Sequence, residues 1–75
     1  MPHIVIKLWP GKSDQQKIRV TELIVKDVME ALGSKEDSIS VAIEEVHPDD
    51  WQEQVCKPDI INNADKLYKK PGYTM

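Results

Sequence analysis

Position 2 of this 75-residue chain is a proline, directly after Met1. Inside a chain, a proline nitrogen is a tertiary amide without useful basicity. Removal of the initiator methionine, which a small ring at position 2 tolerates, turns the same atom into a secondary amine that binds and releases a proton. Free α-amines titrate near ~7.7–8.0, and desolvation or nearby cations push them toward neutrality, where a general base is most effective. The chemistry this implies is proton transfer. The plainer reading is that proline stands second only because that position tolerates it. A base of this kind needs a rigid support, and the chain after Pro2 enters a strand-forming run at once.

That run, His3-Ile4-Val5-Ile6-Lys7-Leu8-Trp9, is rich in β-branched residues, with Ile4, Ile6 and Leu8 on one face and His3, Val5, Lys7 and Trp9 on the other. Pro10-Gly11 ends it. Ser13-Asp14-Gln15-Gln16 has the S-x-x-Q spacing of a capping box and predicts a helix start. Val20, Leu23, Ile24, Val28, Ala31 and Leu32 then recur at helical intervals, and Gly33 suits the left-handed position past a helix end. Ser34 to Ser38 reads as a polar loop. Ile39, Val41 and Ile43 alternate with Ser40, Ala42 and Glu44, predicting a second strand that ends near Val46. A strand, a helix and a strand joined by so long a crossover should place the strands parallel, with a right-handed connection.

Pro48 followed by Asp49 and Asp50 resembles the first turn of a short helix that contains Trp51, and Pro58 is expected to interrupt it. Residues 59–69 then predict a further helical segment with Ile60, Ile61, Ala64, Leu67 and Tyr68 on one face. Pro71-Gly72 reads as a turn, and Tyr73-Thr74-Met75 as a short extended tail. The fold class is therefore α/β: a β-α-β unit with a C-terminal helical segment, in a single domain over residues 1–75.

Composition narrows the function. Ten Lys and Arg against 13 Asp and Glu give a net charge of −3, and the longest basic run is Lys69-Lys70, so a nucleic-acid reader is disfavoured. No run approaches the ~20 apolar residues of a membrane span, and no signal peptide is recognisable at the start, which makes a cytoplasmic setting the expectation. Phe is absent and aromatics are limited to two Trp and two Tyr, so the core must be aliphatic. The lone Cys56 cannot close an intrachain disulfide, and no metal-ligand spacing joins it to His3 or His47. A chain this short hides only ~60–65% of its unfolded surface, and two strands leave both edges and one face of a sheet bare; oligomerisation is the expected remedy.

Three segments carry a resemblance: Met1-Pro2-His3-Ile4-Val5-Ile6; Trp9-Pro10-Gly11-Lys12-Ser13-Asp14-Gln15-Gln16-Lys17; and Ser38-Ile39-Ser40-Val41-Ala42-Ile43-Glu44-Glu45. Together with the Trp51 region and the Lys69-Lys70-Pro71-Gly72-Tyr73 ending, they resemble the 4-oxalocrotonate tautomerase family over nearly the whole chain. The resemblance implies a β-α-β subunit whose amino-terminal proline moves a proton between carbon and oxygen of an α-keto acid, without cofactor or metal.

It also implies site residues. The family arginine that engages the substrate carboxylate corresponds to Lys12, which keeps the charge but loses the planar fork. The family arginine that polarises the substrate oxygen corresponds to Ser40, a much weaker stabiliser of a developing dienolate. A dicarboxylate substrate is thereby disfavoured, and a monocarboxylate with an aromatic or apolar tail, of the phenylpyruvate kind, is expected. The family's pocket aromatic corresponds to Trp51, with a core or interface anchor as its competing role. The segment 48–75 would cover surface that shorter relatives use for trimers of dimers, so a homodimer is expected over a hexamer.

Other residues are weaker candidates. His3 and His47 fit proton transfer, anion binding or plain surface packing. Cys56 beside Lys57 has no base at a recognisable spacing, and an inert thiol is favoured. The acidic pairs Glu44-Glu45 and Asp49-Asp50 are expected to be solvated. Two rival functions remain: a non-catalytic oligomeric module that binds small acids, and a hydratase or lyase using the same amine.

Overall fold

A computed structural model describes residues 1–73 in two compact units, Met1–Glu45 and the chain from Val46 onward. Thr74 and Met75 of the expected tail lie outside the described residues.

In the first unit, strand β1 (His3–Leu8) leads through a short loop into helix α1 (Asp14–Leu32), and strand β2 (Ser40–Glu45) returns parallel to β1. The register pairs His3 with Ser40, Val5 with Ala42, and Leu8 with Glu45. In a parallel pair, register partners share a face. Ile4, Ile6, Leu8, Val41, Ile43 and Glu45 thus form one side, and His3, Val5, Lys7, Ser40, Ala42 and Glu44 the other.

Helix α1 lies on the first side. Ile6 and Leu8 line a groove with Val20 and Lys17, and Lys17 Nζ donates to Glu45 Oε1 at 2.6 Å. Within this unit no element covers the opposite side, and Val5 there is 44% exposed.

The expected capping box is present. Ser13 Oγ accepts from the Gln16 N–H at 3.1 Å, and Gln16 Oε1 accepts from the Ser13 N–H at 2.9 Å. At the other end Gly33 takes φ 69° and its N–H donates to the Met29 carbonyl at 3.1 Å, a left-handed conformation that suits glycine. Replacing Ser13 with Ala should cost about 1 kcal/mol of stability, measured by urea denaturation, because one orphan helix donor loses its acceptor.

The stripe of α1 departs in part from the sequence expectation. Val20, Ile24 and Val28 are half-buried as expected, but Leu23, Ala31 and Leu32 stay exposed, while Lys17, Thr21 and Val25 are half-buried instead. A sheet of two strands is narrower than the apolar arc of the helix, so the outer residues of that arc find no neighbour. The loop after Gly33 carries one 3₁₀ turn, Glu36–Ser38, with Ser38 Oγ donating to the Lys35 carbonyl at 2.8 Å.

Glu45 holds the Lys17 pKa above the ordinary 10.5, chiefly through their hydrogen bond; desolvation opposes this next, and the charges of Glu45 and then Asp14 add to the rise. A folded value above the unfolded one means that the stabilisation is complete below the ordinary lysine value. It is lost as pH rises through the raised one. The stability difference between the parent chain and Lys17→Met should therefore be flat from neutrality to about pH 10 and shrink above that, as followed by urea denaturation at stepped pH.

The second unit departs further. Pro48–Asp50 forms a 3₁₀ turn, with His47 Nδ1 accepting from the Asp49 N–H at 3.1 Å. Trp51 sits at the junction with the next helix, and not inside a single short one. That helix, Gln52–Ile61, is of π type and runs through Pro58.

The expected break at Pro58 is absent. A turn closed by i→i−5 bonds, such as Asn62 N–H to the Lys57 carbonyl at 3.0 Å, is wider than an α turn and relieves the clash of the proline ring with the preceding turn. The expected helix over residues 59–69 is also absent: after Ile61 there is one 3₁₀ turn, Ala64–Lys66, and Leu67 is extended. Asn63 lies outside the helical region and donates its Nδ2–H to the Pro58 carbonyl at 3.2 Å, a side-chain bond that competes with continuing the helix. Val46, Val55 and Cys56 are buried, whereas Ile61 and Tyr68, expected on the apolar face, are exposed.

Candidate active site

Pro2 is half-buried at the start of β1, and its carbonyl accepts the Ser40 N–H at 3.2 Å. This bond extends the ladder one residue past the strand, so the ring is tied to the sheet. The ring nitrogen is acylated by Met1 in the full chain, and Met1 itself is fully exposed.

Ser40 opens β2 beside it. Its hydroxyl is 2.6 Å from His3 Nδ1, its register partner, on the side of the sheet that α1 leaves uncovered. Sequence reasoning weighed these two residues separately. The signal that joins them is the strand register, which follows from alternation only once the pairing of the two strands is known.

Lys12 lies in the loop between β1 and α1, where Gly11 takes φ 121°. It lines the helix-side groove of about 290 Å³ together with Ile6, Leu8, Gln16, Lys17 and Val20. The floor is aliphatic and both cations stand at its wall. Lys17 is committed to Glu45 at 2.6 Å, whereas no described residue forms an ion pair with Lys12. The groove can therefore take a carboxylate on Lys12 with an apolar tail along Ile6, Leu8 and Val20.

Pro2 and Ser40 are together, but Lys12 is not with them. Leu8 is six residue steps along the strand from Pro2, about 20 Å at the rise of a β-strand. Lys12 follows that far end. Trp51 lies in the second unit, where its indole Nε1–H donates to Tyr73 Oη at 3.3 Å. Cys56 is buried in the same unit. No helix among the described residues is long and apolar enough to cross a membrane.

Comparison with known proteins gives a consistent result. Residues 2–55 match the family model described as tautomerase enzyme. A probable tautomerase of Xylella fastidiosa is 38% identical over 73 residues, 97% of this chain and 89% of that protein. Tautomerase PptA of Cronobacter sakazakii is 40% identical over 76 residues and the match spans both chains completely. Among solved structures, YwhB, a homologue of 4-oxalocrotonate tautomerase, superposes with a TM-score of 0.62 at 35% identity, covering 64% of this chain and 79% of that one. TomN, a 4-oxalocrotonate tautomerase homologue of the tomaymycin biosynthetic pathway, gives 0.64 at 30% identity over 67% of this chain and 77% of its own.

Proposed function

This chain belongs to the tautomerase family, and on that premise we propose that it interconverts the enol and keto forms of a small α-keto acid, with the Pro2 amine as base and then acid once Met1 is removed. The observation that carries the reading is the place of Pro2: first in the ladder, fastened through its carbonyl to Ser40. In the direction of ketonisation the amine takes the proton from the enol oxygen, and the electron pair shifts through the enolate. The same proton is then delivered to carbon. Nothing is consumed, so no cofactor is needed.

A single subunit holds Lys12 in the loop beyond the far end of β1 from Pro2, so a site that uses both is built between subunits. We place it at the edge of β1 that faces away from β2. Two β1 strands paired antiparallel and centred near Val5 set Pro2 of one protomer opposite Leu8 of its partner, and so bring the partner's Lys12 and its aliphatic groove to the amine. Such pairing also supplies the strands that a two-stranded sheet lacks. A homodimer meets this requirement.

Lys12 then holds the carboxylate, and Ser40, which opens β2 beside Pro2 with its hydroxyl on the side away from the groove, meets the substrate oxygen round the end of the sheet. The resemblance to the family assigns Trp51 to substrate binding. A tail of aromatic size suits the aliphatic floor better than a second carboxylate, because the only other cation of the groove is already paired. The chain is proposed to be a single functional domain that works in the cytoplasm.

The test is ketonisation of phenylenolpyruvate by chains that begin at Pro2, read as loss of the enol absorbance. Turnover is expected. Ser40 in place of a family arginine favours one rival, a module that binds keto acids without turning them over. Calorimetric binding of phenylpyruvate without exchange of its α-carbon protons by NMR would establish that rival instead.

A further inference from the structure

The least expected polar contact in the first unit is the 2.6 Å approach of His3 Nδ1 to Ser40 Oγ. It lies one residue from Pro2 along β1 and directly across the ladder, where the Ser40 N–H already bonds the Pro2 carbonyl at 3.2 Å. Both residues are exposed on the side of the sheet away from α1, so packing does not force the contact. A hydroxyl held at this distance by an imidazole has one of two polarities. If Ser40 donates to Nδ1, its proton is spent. If Nδ1–H donates to Oγ, the hydroxyl proton is free to point at a third atom, and the chain of two donors strengthens the outer bond.

We propose that His3 is a positioning residue of the tautomerase: its Nδ1–H holds and polarises the Ser40 hydroxyl, which donates to the substrate oxygen as enolate charge develops there. The inference rests on the tautomerase reading above and adds to it the group that compensates for a lost cation. An isolated serine is a weak oxyanion donor, whereas a serine backed by an imidazole N–H is a charge-assisted one whenever the ring is protonated. The proton inventory of the reaction is unchanged. Pro2 still carries the transferred proton, and the Ser40 proton stays on its oxygen while that bond shortens in the enolate and lengthens in the ketone.

The arrangement makes a prediction that a merely structural cross-strand contact does not. The titratable groups that share the face or flank the pair along the chain are the Pro2 amine, Lys7, Glu44 and Asp37. All four are kept in the variants below, so a difference between pH profiles isolates His3. Asn is the informative replacement, since its Nδ2 occupies nearly the place of Nδ1 and donates without titrating.

The experiment uses chains beginning at Pro2 and compares the parent with Ser40→Ala, His3→Ala and His3→Asn in phenylenolpyruvate ketonisation across pH. Ser40→Ala and His3→Ala should each lower kcat about 10–100-fold with KM nearly unchanged, and the double variant should lose no more than either alone. His3→Asn should recover most of kcat at neutral pH but lose one limb of the parent's pH profile. Parental kcat in Ser40→Ala, or a profile unaltered in both His3 variants, overturns this inference and leaves the tautomerase reading intact. A parent chain without turnover overturns both. Circular dichroism and urea denaturation of each variant separate a lost fold from a lost donor. If His3→Ala fails to fold, the folded His3→Asn decides through its pH profile.

Discussion

Chains that begin at Pro2 are expected to ketonise phenylenolpyruvate about 10²–10⁴ times faster than chains that retain Met1, the range a positioned general base supplies. The reason lies at one atom. With Met1 attached, the Pro2 nitrogen is a tertiary amide whose lone pair is delocalised into the carbonyl, and nothing else at the start of β1 replaces it at that position. With Met1 gone, the nitrogen is an amine whose unprotonated fraction is substantial near neutrality. The rest of the site is identical in the two chains, because the Pro2 carbonyl and its 3.2 Å bond from Ser40 do not involve the ring nitrogen. Mass spectrometry fixes which chain is in the cuvette. Equal rates for the two chains would remove the proposed base, whatever the absolute activity.

Lys12→Ala is expected to lower kcat/KM about 10–100-fold, mostly through KM, because a hydrogen bond to a charged group is worth about 1.5–3 kcal/mol and this one is made to substrate and transition state alike. Lys12 is exposed in the loop after β1, so KM of the parent should also rise with added salt, and the variant's should not. Lys12→Arg should lower KM below the parental value, since the planar fork grips a carboxylate through two parallel bonds where an ammonium is a single point. An unchanged KM in Lys12→Ala would place the carboxylate elsewhere.

The same variant tests the site between subunits. Mixed with the inactive chain that retains Met1, Lys12→Ala should regain activity, because in random mixing about a quarter of all sites combine a free Pro2 from one protomer with Lys12 from the other. Without such rescue the two residues do not share a site across subunits. The distance along β1 would then argue against Lys12 as a ligand at all.

The amino-acid sequence determined the parts of this protein that depend on neighbours a few residues apart. Alternation at Ile4, Ile6 and Leu8 and at Val41 and Ile43, the Ser13–Gln16 capping box and the glycine at position 33 specify two strands and a helix through local sterics and local hydrogen bonds. The identity of the proton-carrying candidate was legible too, since a proline at position 2 needs no partner to be noticed.

Tertiary structure decided what depends on residues far apart. The register that puts His3 against Ser40, 37 positions away, is a property of strand pairing and not of either segment. The separation of Lys12 from Pro2 by the length of β1 appears only when the strand and the loop after it are in place. The C-terminal segment was the least legible. A local rule that proline breaks a helix met a widened turn that accommodates Pro58, and an apolar periodicity through Ile61 and Tyr68 met a fold that buries Val55 and Cys56 instead. Which of several apolar stripes is buried depends on what stands opposite it, and no short window of residues contains that information.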